Sequence, residues 1–279
     1  MLTTDQRARF EQDGYLVLPD FKGHEEIARL RQRAAEIVDA FDPSADRPIF
    51  TTNDQLRATD DYFLRSDTTI RCFFEEEAFD QHGRLRQDKA LSINKIGHAM
   101  HDLDPVFCAF SRDPKLAALA RALGLNDARV WQSMYIFKQP GIGGEVGWHQ
   151  DATFFDTSPV TVTTFWFALE DATRDNGCLW VEPGGHRGPM RERFVRHGDE
   201  ITMEKLDSTP WPDNAGAIAL EASAGSLVCF HGLLPHYSAP NRSSVSRHAY
   251  TLHATDGTAS YSPHNWIQRD AAFPVRGFD

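Results

Sequence analysis

The chain has 279 residues, 41% hydrophobic and 25% charged, with a formal net charge of −11. That is the composition of a globular enzyme able to bury a sizeable core, and its acidity argues against a nucleic-acid partner, whose phosphates want a basic face. Cys72, Cys108, Cys178 and Cys229 stand far apart with no C-x-x-C pair, so they read as reduced, buried thiols and not as a disulfide framework or a zinc site.

Residues 3–11 are polar and charged, unlike a signal peptide, and no apolar run reaches the length of a membrane span. The expectation is a cytoplasmic enzyme with no membrane partner, one domain over 1–279 acting on a small molecule. The sequence is silent on oligomeric state. Thr4 is placed to cap a short helix that Gly14 ends, and 15–18 reads as a short strand. Ile27, Leu30, Ala34, Ile37, Val38 and Phe41 recur at helical spacing, which predicts an amphipathic helix over 24–40. Residues 42–70 are polar and rich in Asp and Thr, as in a surface excursion or an active-site lid. His98 and His101 are spaced to share one side of a helix. Asp113-Pro114 and Gly124 bracket a further helix, with Leu116, Leu119, Ala120 and Leu123 as its buried stripe.

From about residue 128 the pattern changes to strands. Runs at 130–137, 160–169, 178–181, 218–222, 226–230 and 248–254 are β-branched or aromatic-rich, with Pro, Gly, Asn and Asp between them. Such short strands predict a mainly β protein with flanking helices, a sandwich or jelly-roll core packed against N-terminal helices. The expected layout is a mainly helical flank over 1–127, a β core over 128–256 and a C-terminal tail over 257–279. Residues 183–212 read as one long loop, of the kind that carries function.

The sharpest local feature is Trp148-His149-Gln150-Asp151. In an extended chain residues two apart point to one face, so His149 and Asp151 can reach the same ion. A third ligand must come from elsewhere, and His236 and His231 both compete for it. Two histidines and a carboxylate on one face of an ion are the arrangement of non-haem iron(II) oxygenases. Arg247 follows His236 across the turn at 241–244; if that turn joins paired strands, Arg247 returns beside the metal, where a guanidinium can grip a carboxylate with two parallel hydrogen bonds. Ser238 can add a hydroxyl. By parity Gln132 and Met134 share one strand face, and Thr164, Trp166 and Ala168 another. On their own, Met134 and Trp166 read as core residues, and Lys95 as a solvated helix lysine.

The spacing His149-x-Asp151, then His236-x-Ser238-x-x-Asn241-x-Ser243-x-x-x-Arg247, resembles the signature of the phytanoyl-CoA dioxygenase family. The likeness extends over nearly the whole chain, through Phe10-x-x-Asp13-Gly14-Tyr15, residues 92–98, 132–140, 170–173, 176–180 and Ser262-Pro263-x-Asn265-Trp266. The resemblance implies a double-stranded β-helix and an oxygenase that uses Fe(2+), 2-oxoglutarate and O2, releasing succinate and carbon dioxide as it hydroxylates a substrate. It implies iron on His149, Asp151 and His236, and 2-oxoglutarate on Lys95, Met134, Trp166, Ser238 and Arg247. In the turn Pro183-Gly184-Gly185-His186 a serine is expected where this chain has Gly185, and His186 reads as shaping the site and not as a ligand.

Two other classes compete: a zinc or manganese sandwich enzyme without 2-oxoglutarate, opposed by Arg247 and Lys95, and a non-catalytic module, opposed by the intact triad. For the substrate, Arg187, Arg191, Arg193 and Arg196 stand together after Pro183. Arg191 and Arg193 are the candidates to meet an anionic substrate, a carboxylate or an acyl-CoA. The competing reading pairs these charges with Glu192, Asp199, Glu200 and Glu204.

Overall fold

The computed structural model describes residues 2–43, 48–50, 61–198, 200–213 and 215–279. Helix α1 (Thr4–Asp13) is capped by Thr3 and not by Thr4. Thr3 Oγ1 accepts from the Gln6 N–H at 3.2 Å while Gln6 Oε1 accepts from the Thr3 N–H at 2.9 Å. This reciprocal pair satisfies two backbone donors at once, which Thr4 could not do. Strand β1 (Tyr15–Leu18) follows, then helix α2 (His24–Ala40), which buries Ile27, Leu30, Ala34 and Val38 along one stripe. The predicted excursion over 42–70 falls partly on 44–47 and 51–60, outside the described residues. Its described part supplies Phe50, whose N–H donates to Phe74 O at 2.9 Å, and a short helix, α3 (Asp61–Leu64).

Next come β2 (Ile70–Phe74) and β3 (Ile93–His98), then helices α4 (Met100–Leu103), α5 (Pro105–Ser111) and α6 (Pro114–Ala122). The shared helix face expected for His98 and His101 is replaced by two elements, a strand end and α4. All six residues of β3 are buried, because this strand is covered on both faces. Helix α6 carries the predicted cap: the Asp113 carboxylate accepts from Lys115 N–H at 2.8 Å, with Pro114 at the first helical position.

The remaining strands are β4 (Ala128–Ile136), β5 (Val146–His149), β6 (Thr157–Ser158), β7 (Thr163–Ala168), β8 (Leu179–Val181), β9 (Glu192–His197), β10 (Glu200–Lys205), β11 (Ile218–Leu220), β12 (Leu227–His231), β13 (His236–Ser238), β14 (Ala249–Asp256) and β15 (Ser260–Tyr261). A seven-stranded sheet runs β1-β12-β7-β14-β4-β3-β2 and a four-stranded sheet runs β11-β8-β13-β5; the strand pairings are antiparallel. This is a jelly roll. The parity of β7 and β14 divides its interior. Phe165, Phe167, Tyr250 and Leu252 face the helices and pack with Phe10, Leu30, Phe107, Phe110 and Leu116. Trp166, Ala168 and Ala249 turn inward and pack with Leu179, Val181, Val228 and Phe230. No described helix is long and apolar enough to cross a membrane.

The expected loop over 183–212 is largely a hairpin of β9 and β10, with Arg193 opposite Glu204 and Phe194 opposite Met203. Phe194, Val195 and Ile201 are buried, and Phe194 and Ile201 join a cluster with Phe155, Trp266 and Ile267. That apolar face holds the ribbon against the jelly roll, where the sequence alone suggested one long loop.

Candidate active site

Strands β5 and β13 are cross-strand neighbours, and their register sets His149 directly opposite His236, with ring centroids 4.0 Å apart. The strand ends at His149, so Asp151 is presented by the 3-10 turn Asp151–Thr153 and not by a continued strand. Gln150 makes that turn rigid. Its amide donates to Pro189 O at 3.0 Å and Leu233 O at 2.8 Å, and its carbonyl accepts from Arg191 N–H at 2.9 Å.

One ligand atom from each of His149, Asp151 and His236 lies within 4.8 Å of the others. Asp151 Oδ1 is 3.6 Å from His149 Nε2 and 3.7 Å from His236 Nε2. Each Nδ1 sits by a backbone carbonyl, His149 by Gly147 O at 2.8 Å and His236 by Leu234 O at 3.0 Å. Donation there places the proton on Nδ1 and leaves both Nε2 lone pairs facing the carboxylate, the tautomer a metal needs. Thr164 Oγ1 donates to Asp151 Oδ2, and His253 Nε2 stands 3.5 Å from the same oxygen, so Oδ1 is the oxygen turned toward the histidines. Burial alone would push the Asp151 carboxyl up, but the facing His236 and His253 outweigh it and hold it well below the usual range. His231 is excluded from the cluster. Its Nδ1 accepts from Leu233 N–H at 3.1 Å and its ring packs against His186 at 5.4 Å.

The cluster opens into a cavity of about 240 Å³ between the two sheets, which is also lined by Lys95, Met134, Trp166, Ser238 and Arg247. Met134, Thr251 and Trp166 form one row across β4, β14 and β7. Arg247 arrives by a route other than the expected hairpin. The chain crosses from β13 in the small sheet to β14 in the large one, pinned by buried Asn241, which donates to Lys138 O at 2.9 Å and Val245 O at 2.8 Å. The Arg247 guanidinium is only 2% exposed. Its Nε donates to Gly177 O at 3.0 Å and its Nη2 to Ser238 Oγ at 3.2 Å, while Nη1 meets no hydrogen-bond partner among the described residues. Burial pushes its pKa down to about 10, so it still carries its charge at neutral pH. A buried cation with a spare donor and no ion-paired carboxylate among the described residues is costly unless an anion joins it. Gly177 makes the arrangement possible: it has φ +86°, and a Cβ there would stand 2.7 Å from both Ala239 O and Lys138 Cε.

Lys95 is 5% exposed, in contrast to the solvated lysine that its residue type alone suggested. Its Nζ lies 3.4 Å from the Phe50 ring centroid, 5.5 Å from those of Phe63 and Phe73, and 3.8 Å from Met134 Sδ. The structure thus brings eight expected residues, three at the triad and five beyond it, around one cavity. Arg191 and Arg193 are not in its wall. Arg193 is paired with Asp156 at 3.2 Å and Glu204 at 2.8 Å. Arg191 is buried under Trp211, 4.6 Å from its centroid, with Glu182 at 3.5 Å. The hairpin contributes Glu192 and Met203 to the wall instead.

Sequence reading missed Lys138, His98, Thr251 and His253. Parity held a signal for Thr251 and His253, which share the inward face of β14. Nothing local marked Lys138, a non-glycine at φ +44° whose Nζ donates to Gly144 O at 2.6 Å and Ser238 O at 3.3 Å. At Gly185 a side chain would stand 2.7 Å from Pro235 Cδ, so the local packing leaves no room for the expected serine. His186 points away toward α1, with Nε2 3.2 Å from Glu11 O.

A jelly roll with two histidines and a carboxylate at the mouth of its cavity is the framework of non-haem oxygenases. The fold matches that of a solved non-heme alpha ketoglutarate dependent carbocyclase from nogalamycin biosynthesis at a TM-score of 0.65 and 18% identity, covering 99% of this chain and 96% of that one. The chain belongs to the phytanoyl-CoA dioxygenase family, whose model matches residues 10–249. It is 46% identical over 269 residues to a phytanoyl-CoA dioxygenase of Arabidopsis thaliana, covering 96% of this chain and 94% of that protein. It is 44% identical over 282 residues to the phytanoyl-CoA dioxygenase domain-containing protein 1 of Bos taurus, covering 98% and 97%.

Proposed function

We propose that this protein is an iron(II) and 2-oxoglutarate-dependent dioxygenase that hydroxylates a small organic substrate: 2-oxoglutarate, O2 and R–H give succinate, carbon dioxide and R–OH. The observation that carries the reading is Arg247, a buried guanidinium in the same cavity as the triad whose Nη1 has no partner among the described residues. A metal site alone would serve a hydrolase equally well; an enclosed cation awaiting a carboxylate favours a dicarboxylic cosubstrate.

The donor set fits the cofactor, because neutral imidazole and carboxylate suit iron(II) and no thiolate is present in the cluster. His149, Asp151 and His236 would hold the ion, which when bound supplies chelation of the 2-oxo acid and activation of O2. Arg247, anchored on Gly177 O, would receive the distal carboxylate, and Ser238 would join it by turning to the anion the hydrogen it here gives to Gly177 O. Trp166 lies 5.4 Å below the guanidinium and prevents its withdrawal. Lys138 ties Ser238 to Gly144 from behind. Met134, Lys95 and the rings around Lys95 keep bulk water from the reacting centre.

Purified protein given iron(II), 2-oxoglutarate and air is expected to release succinate and carbon dioxide in equal amounts, slowly without substrate, and to stop when zinc replaces iron. Absence of succinate from folded, iron-loaded protein, or undiminished turnover with zinc, would remove the proposal.

A further inference from the structure

His98 is completely buried at the end of β3 and lines the cavity, yet neither the triad nor the Arg247 pocket uses it. Its Nδ1 lies 2.7 Å from Ser66 Oγ, and Ser66 Oγ donates to Phe63 O at 2.5 Å. A hydroxyl has one hydrogen. With that hydrogen committed to the carbonyl, Ser66 accepts from the imidazole, so Nδ1 carries the proton and Nε2 is a bare lone pair. Nε2 has no hydrogen-bond partner among the described residues.

The ring cannot turn to find one. It is held edge-on to Phe63 at 5.5 Å and to Trp266 at 5.3 Å, and tilted on Phe73 at 5.7 Å. Burial, reinforced by Lys95 and His253, keeps the imidazole well below its usual pKa, so it is neutral at pH 7 and can only accept. Thr153 and Thr251 also line the cavity, and their Oγ1 atoms have no partner among the described residues, but a hydroxyl can rotate to donate or accept and so selects nothing by itself. Between these polar points the wall is aromatic: Phe63, Phe154, Phe155 and Trp266 all contribute.

We propose that His98 is a specificity-determining residue, whose Nε2 accepts a hydrogen bond from an uncharged O–H or N–H group on a substrate with an otherwise aromatic or apolar body. The proposal rests on the oxygenase reading only in taking this cavity as the substrate site. A carboxylate or phosphate has no hydrogen to offer this lone pair. An ammonium would have to shed its water close to the positive charges of Lys95 and Arg269, which act on the His98 ring. A neutral donor satisfies the orphaned acceptor and meets neither obstacle, and a buried acceptor left unpaired penalises an analogue that lacks the donor.

The test uses metal-free protein and calorimetry with phenol, methoxybenzene and benzoate, which differ only in whether the ring bears a neutral donor, a masked donor or an anion. Phenol is expected to bind about tenfold more tightly than methoxybenzene, the effect of one buried hydrogen bond, and benzoate more weakly than phenol. In His98→Phe the phenol preference should vanish, whereas His98→Gln, which keeps an acceptor, should retain part of it. Equal affinities in the unmodified protein, no binding of phenol at millimolar concentration, or a preference that survives His98→Phe would each overturn the proposal. Should His98→Phe fail to fold, the phenol-to-methoxybenzene ratio in the unmodified protein and in His98→Gln decides. Titrating the same sample with iron(II) and 2-oxoglutarate separates the two readings: the phenol preference without cosubstrate binding defeats only the oxygenase, and the converse defeats only the role of His98.

Discussion

His236→Ala is expected to abolish iron-dependent succinate formation, while His231→Ala keeps measurable turnover. The two histidines are five residues apart and bracket one turn, yet they face different surroundings. His236 sits opposite His149 with Nε2 3.7 Å from Asp151 Oδ1. His231 packs its ring against His186, and its Nδ1 accepts from the Leu233 backbone N–H. Loss of a group that only orients a metal ligand costs about 10–100-fold in metal affinity or activity. Loss of a ligand itself should exceed that, leaving turnover down by more than about 100-fold. Circular dichroism of both variants separates this from unfolding. If the alanine at 231 kills turnover and the alanine at 236 spares it in folded protein, the assignment of β13 is wrong.

Arg247→Lys is expected to lower the apparent affinity for 2-oxoglutarate by roughly 1.5–3 kcal/mol, the range for hydrogen bonds to charged groups. That is about 10-fold to 150-fold. The charge survives the change, but the fork does not. Nε holds Gly177 O and Nη2 holds Ser238 Oγ, and these two anchors aim Nη1. A lysine offers one rotatable ammonium and cannot satisfy Gly177 O, Ser238 Oγ and a carboxylate in the same geometry. The KM for 2-oxoglutarate, measured at saturating iron, reads the effect. An unchanged value would place the cosubstrate elsewhere.

Much of this site was legible because β structure writes its faces at a period of two. That parity put Gln132 with Met134 and Thr164 with Trp166, and the strand bounds of the core fell within a few residues of the pattern. The triad needed the family spacing, since His231 and His236 are chemically equal until the turn between them is built. The rest depended on contacts distant in sequence. Lys95 reads as a surface residue until β3 is found buried between helices and cavity. The arginines after Pro183 read as a cationic rim until Glu204 and Asp156 are seen to engage Arg193 and Trp211 to cover Arg191. His98 reads as one side of a helix, and only the proton count at Ser66 shows what its free nitrogen can do.

The central claim, that one cavity holds iron(II) and 2-oxoglutarate together, is tested most directly by an anaerobic optical titration. Iron(II) alone and 2-oxoglutarate alone should leave the visible spectrum of the protein flat, and the two together should give a weak metal-to-ligand charge-transfer band that Arg247→Lys shifts to higher 2-oxoglutarate concentration. A folded, iron-loaded protein that shows no band, and no heat on addition of 2-oxoglutarate, would contradict the account.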